Sequence, residues 1–204
     1  MNRTATPLTV RRFLSAAIAS VFLAALTACG PQERAIPPLE GADIGGPFEL
    51  VSSDGRAVRW SDFDGKYRIV YFGFTFCPDI CPTDVQRMVQ GLKRFAEKRP
   101  EQAAQIQPIF ISIDPARDTP EVVGEFAAAF SDDLIGLTGS EEQVKAAADA
   151  FRVFYSRGED TPGGYLMDHS AIVYLFGPKG EPLATLPTDQ GAESVAAEID
   201  KWVS

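Results

Sequence analysis

The sequence predicts an α/β domain built on a mixed sheet with helices on both faces. Three observations lead there. Apolar runs of β-branched and aromatic residues alternate with segments of helical periodicity from residue 68 onward. The chain closes with a strand-turn-strand signal and a helix. Its 204 residues, 45% of them hydrophobic, suit one domain with a sizeable core.

The first 28 residues stand apart from that domain. Arg3, Arg11 and Arg12 precede FLSAAIASVFLAALTA, an uncharged apolar run that reads as a secretory signal and is too short for a comfortable membrane span. It ends in Leu26-Thr27-Ala28-Cys29, which resembles a bacterial lipobox, so residues 1–28 are expected to be removed and Cys29 acylated. Each buried acyl methylene contributes ~0.8 kcal/mol, enough in several chains to hold a soluble domain at the membrane. Residues 29–43 are rich in Pro and Gly without an apolar period and read as a tether; the folded domain is expected over 44–204.

Within it, FELVSSDGRAVRW reads as two short strands around Ser53-Asp54-Gly55. RIVYFGF, residues 68–74, is nearly continuous in apolar residues and predicts a buried interior strand. After Pro82-Thr83-Asp84, Val85, Met88, Val89, Leu92 and Phe95 recur at helical spacing and predict a helix to about Arg99. IQPIFISI predicts a second strand ending at Asp114-Pro115. TPEVVGEFAAAF predicts a helix capped by Asp118 or Thr119, with Arg117 free to pair with a nearby acid. The short run DLIGLTG follows, then a helix from about Ser140 to Phe151. YSRGEDTPGGYLMDH reads as irregular, SAIVYLFGPKGEPLATL as two strands around Gly177-Pro178-Lys179-Gly180, and AESVAAEIDKWV as a closing helix. No internal repeat is present.

The formal charge is −9, and removing the first 28 residues, with three arginines and no acid, takes the remainder to about −12. No basic patch is visible, which excludes nucleic acid as an expected partner.

With Cys29 assigned to lipid, two cysteines remain, four apart in FTFCPDICP, at the junction of the 68–74 strand and the following helix. A disulfide staple is the plain reading of an extracytoplasmic pair, but so small a loop removes little unfolded-state entropy. A redox or metal role suits the place better: helix N–H groups stabilise thiolate, the form that attacks disulfides and binds metals. The chain has one histidine, His169, immediately before SAIVYLF, the run expected to lie beside the 68–74 strand. Two thiolates and an imidazole suit Cu(I), with Cu(II) also accommodated, whereas a structural zinc site would want a fourth Cys or His that is not apparent.

FGFTFCPDICP, IDPARDTP and DHSAIVYLFGPKGE, in this order and spacing, closely resemble the Sco/SenC family over nearly all of residues 44–203. The resemblance implies a thioredoxin-like fold with an N-terminal β-hairpin that binds one copper ion per chain through Cys77, Cys81 and His169. It further implies a metallochaperone at the periplasmic face of the inner membrane, assisting assembly of the CuA centre of cytochrome c oxidase subunit II. Another periplasmic copper chaperone or a thiol reductase would be a further partner. The usual family anchor is a transmembrane helix, where this chain has a lipobox.

Asp79 reads as a turn residue and Asp168 as a neighbour pointing away from His169, so neither joins the set. The chief alternative is an extracytoplasmic thiol-disulfide oxidoreductase using Cys77 and Cys81 as its redox-active pair. The CxxxC spacing and the His-Ser-Ala sequence, where thioredoxins have CxxC and a proline, favour metal. A peroxidase is disfavoured because Thr75 lies two residues before Cys77 and not three; a copper sensor or protein-binding module is the remaining class.

Overall fold

The computed structural model describes residues 35–204. Its elements are β1 (Glu49–Ser52), β2 (Ala57–Arg59), a 3-10 turn (Trp60–Phe63), β3 (Tyr67–Gly73), α1 (Ile80–Lys98), α2 (Pro100–Ala103), β4 (Ile106–Ser112), α3 (Pro120–Ala128), β5 (Ile135–Thr138) and α4 (Glu141–Ala150). They are followed by β6 (Tyr155–Thr161), β7 (Gly164–His169), β8 (Val173–Phe176), β9 (Pro182–Leu186) and α5 (Ala192–Trp202). Seven strands form one sheet in the order β2-β1-β5-β4-β3-β8-β9; β6 and β7 pair only with each other. β3, β4 and β5 run parallel and the remaining pairs are antiparallel, giving the mixed sheet that the sequence predicts.

The interior place of β3 follows from its side chains. All seven residues are buried, including Arg68, whose guanidinium lies 4.4 Å from the Trp60 ring centroid and pairs with Asp64 at 2.7 Å. β8 lies antiparallel beside β3, with Tyr71 opposite Val173, so the strand that follows His169 begins beside the C-terminal part of the strand that precedes the cysteines. On one side of the sheet Phe48, Trp60, Phe151 and Phe176 pack edge-on and tilted at 5.2 to 6.1 Å. Gly91 on α1 lets α5 approach closely, since a Cβ there would lie 2.3 Å from Val195 Cγ1.

The compact body begins at Pro37. Leu39 N–H donates to the Leu183 carbonyl and Asp43 pairs with Arg152, so the last residues assigned by composition to the tether lie against the domain. Among the described residues no helix is long and apolar enough to cross a membrane. Residues 1–28, read as a signal, and Cys29 lie outside the described residues.

Two expectations are corrected. The helix expected from the period after Pro82-Thr83-Asp84 already starts at Ile80 and takes Cys81 into its first turn. The stretch read as irregular, 155–169, is the β6–β7 hairpin. Its polar composition hid it, but its period is two: in β7, Tyr165, Met167 and His169 are half-buried while Leu166 and Asp168 are exposed.

Candidate metal centre

The parallel β3 delivers the chain to the sheet's C-terminal edge, where Phe74 to Asp79 turn it into α1. Cys77 lies half-buried in that turn and Cys81 is fully buried in the first helical turn; both are free thiols. The Cys81 N–H donates to Cys77 Sγ at 3.3 Å. Gly73 makes room for the second sulfur: a Cβ there would stand 3.3 Å from Cys81 Sγ and 3.0 Å from the Tyr71 ring.

His169, the last residue of β7, brings its Nε2 to 3.2 Å from Cys81 Sγ, across 88 residues of sequence. Its Nδ1 faces the Ser170 carbonyl at 3.1 Å. A carbonyl can only accept, so Nδ1 carries the hydrogen and the Nε2 lone pair points at the sulfur. Tyr71 and Phe74 pack on the imidazole edge-on, with centroids at 6.1 and 6.0 Å. The pairs in contact are thus Cys77 with Cys81 and Cys81 with His169. Among the described residues no three Cys, His, Asp or Glu side chains already stand in metal-binding geometry. Asp79, at the helix N-cap, and Asp168 are exposed and outside the cluster.

The two sulfurs are unequal. A hydrogen bond from the Cys81 thiol, then the N–H groups of Asp79, Cys81 and Ile80, outweigh partial burial and hold the Cys77 thiol down to about 5. Cys81 is pushed up, first by that same hydrogen bond to Cys77 and then by burial. The hydrogen on Cys81 has His169 Nε2 in reach at 3.2 Å. Beneath them Tyr71 donates its hydroxyl to buried Asp84 at 3.2 Å, and burial, with Cys81 and Asp84 close by, raises the phenol.

The IDPARDTP turn contributes more than its sequence announced. Thr119 caps α3, accepting from Val122 N–H, while Asp118 turns inward and is fully buried. It accepts from Thr75 N–H at 3.0 Å, Thr75 Oγ1 at 2.6 Å and Ser112 Oγ at 2.6 Å, so it anchors the residue two before Cys77. No local pattern links positions 75 and 118.

Asp118→Ala is expected to lower the unfolding free energy by about 3 kcal/mol, because it strands buried donors. Burial raises the Asp118 carboxyl above its ordinary 3.8. The folded chain then holds that proton to higher pH than the unfolded chain does. The stabilisation is complete below 3.8 and is lost as pH rises through the folded value. Urea unfolding in steps from pH 4 to 7 should therefore show a decline that Asp118→Asn lacks; equal slopes for the two proteins would refute this account.

The SCO1/SenC family model matches residues 37–204. Protein SCO1 homolog 1, mitochondrial, of Arabidopsis thaliana is 42% identical over 143 residues, which cover 70% of this chain and 42% of that protein. The SCO2-like protein of Rickettsia felis is 39% identical over 158 residues, covering 76% of this chain and 75% of that one. The crystal structure of Arabidopsis thaliana ScoI with copper bound is similar at a TM-score of 0.73 and 38% identity, over 78% of this chain and 96% of that chain. The match thus spans less than half of the curated plant relative. The fold shared with these structures is thioredoxin-like. With the family match running from Pro37 through the cysteine turn and His169 to the last residue, this chain belongs to the SCO1/SenC family.

Proposed function

We propose that this chain is a lipid-anchored copper metallochaperone that carries one copper ion on Cys77, Cys81 and His169 and assists assembly of the CuA centre of cytochrome c oxidase subunit II. The observation that carries the reading is the 3.2 Å approach of His169 Nε2 to Cys81 Sγ, with Cys77 at the next turn of chain. Two sulfurs and a neutral imidazole form a soft donor set, and the Ser170 carbonyl holds the imidazole in the tautomer a metal needs. The copper bound in the similar Arabidopsis thaliana ScoI supports the choice of metal. Copper is cargo here: the half-buried Cys77 is the sulfur a partner's thiolates reach first, and buried Cys81 is the last to let go. The signal 1–28, acylation of Cys29 and the tether that follows it would place the domain at the periplasmic face of the inner membrane.

One observation favours a second reading, reduction of the CuA cysteines. Cys77 is a low-pKa, accessible thiolate beside a buried, protonated partner. It would attack a substrate disulfide, and Cys81 would then resolve the mixed disulfide, leaving a Cys77–Cys81 disulfide and a reduced substrate.

A strain carrying Cys77→Ala is expected to lose CuA oxidase at low copper and to regain it when copper is added. Full assembly at low copper would overturn the proposal. His169→Ala separates the readings, since delivery needs the imidazole and thiol reduction does not.

A further inference from the structure

The hairpin that carries His169 has no ladder bond to the seven-stranded sheet, and a two-stranded ribbon alone is marginal in water. Tyr155 and Met167 pack part-buried against the core, and beyond that apolar contact the hairpin has few polar ties. Apart from the contact of His169 itself, the described residues contain one side-chain hydrogen bond from hairpin to body: Tyr165 donates its hydroxyl to Asp114 at 2.7 Å. Asp114 is buried and also accepts from Arg117 Nε at 2.5 Å.

The Arg117 guanidinium lies 3.6 Å from the centroid of the Tyr165 ring, and 4.9 and 5.9 Å from those of Phe76 and Phe74. Its side chain is 18% exposed, so these cation–π contacts act in a largely desolvated place, where they are strongest. Phe76 precedes Cys77, and Phe74 packs edge-on against His169. One guanidinium therefore touches the hairpin, the cysteine turn and the ring that flanks the imidazole.

We propose that Arg117, with Asp114 and Tyr165, is a latch that fixes His169 relative to the two cysteines. Arg117 and Tyr165 are positioning residues that touch no copper; the effect on copper rests on the ligand set proposed above. Opening the latch leaves both sulfurs in place and withdraws the imidazole, so the hairpin position sets how tightly the third donor holds.

The test uses the reduced, detergent-solubilised full chain, with Tyr165→Leu and Tyr165→Phe made both alone and in a His169→Ala background. Cu(I) affinity is read by competition, and amide hydrogen exchange is read on the metal-free protein. Tyr165→Leu should weaken Cu(I) binding about tenfold, the scale for losing a group that orients a ligand, with a smaller loss in Tyr165→Phe, which keeps the ring. In the His169→Ala background neither change should cost anything further. Exchange should quicken over residues 155–169 and stay unchanged in β3 and β4, which separates an open latch from a damaged fold.

Wild-type affinity or unchanged hairpin exchange in Tyr165→Leu would overturn the latch. So would an equal loss with and without His169, which would mark general damage. If His169→Ala alone left Cu(I) binding intact, the ligand set would fail instead, and hairpin exchange would still decide the latch.

Discussion

In a Cu(I) competition titration of the reduced protein, Cys81→Ser is expected to abolish tight binding, with His169→Ala weakening it at least about a hundredfold. Cys81 is the one group in contact with both of the others, Cys77 on one side and His169 on the other. Serine fits the space beside Gly73 but offers a hard, protonated oxygen to a soft ion. Losing it leaves one thiolate and an imidazole. Losing His169 leaves two thiolates, which still bind, so its penalty is smaller. Loss of a group that merely orients a ligand costs ~10 to 100-fold, and loss of a ligand should cost no less. Cys77→Ser should fall beside Cys81→Ser. Wild-type affinity in Cys81→Ser would end the three-donor reading. A His169→Ala protein that bound Cu(I) unchanged would shift the case to the thiol reductase.

The sequence exposed those parts of the fold that repeat a local pattern. β3 was legible because seven consecutive residues are buried and most are β-branched or aromatic. α1 was legible because Val85, Met88 and Phe95 line one buried face. The approach of His169 to the cysteines was foreseeable from a single inference, that the apolar run after it lies beside β3, and the pairing of Tyr71 with Val173 is that contact. The β6–β7 hairpin was not legible, because its strands face water and their alternation is carried by only three half-buried residues in β7.

What surrounds the sulfurs was harder still. Asp118 meets Thr75 across 43 residues, Tyr165 meets Asp114 across 51, and Asp84 meets Tyr71 between a helix and a strand. Such pairs follow from tertiary packing, which leaves no period in the chain. IDPARDTP was recognisable as a motif, yet only the fold reveals that Asp114 and Arg117 face the hairpin while Asp118 faces the cysteine turn.

Alkylation of the reduced, metal-free protein is expected to depend on pH with a midpoint near 5 at Cys77, and to leave Cys81 unmodified until the chain unfolds. The shift from 9.0 to about 5 changes two opposing factors. At pH 7 it raises the thiolate fraction ~100-fold over an ordinary thiol, but a less basic thiolate is a poorer nucleophile, by ~60-fold for a Brønsted slope near 0.45. The two nearly cancel, so a rate at pH 7 says little. At pH 5.5 the thiolate advantage grows to roughly 2,000-fold while the nucleophilicity penalty stays fixed, leaving Cys77 about 40-fold faster than an unshifted thiol. The profile should therefore be flat above about pH 6 and fall by half near pH 5. Cys81→Ser tests the cause: its hydroxyl can still donate to the Cys77 sulfur, and the helix N–H groups remain, so the midpoint should rise only modestly. Cys81→Ala removes the side-chain donor, the largest influence, and should move the midpoint upward by more. A wild-type midpoint between 8 and 9 would mean that neither the Cys81 thiol nor the first turn of α1 stabilises the Cys77 thiolate. The low-pKa thiolate on which the thiol-reductase reading draws would then be gone.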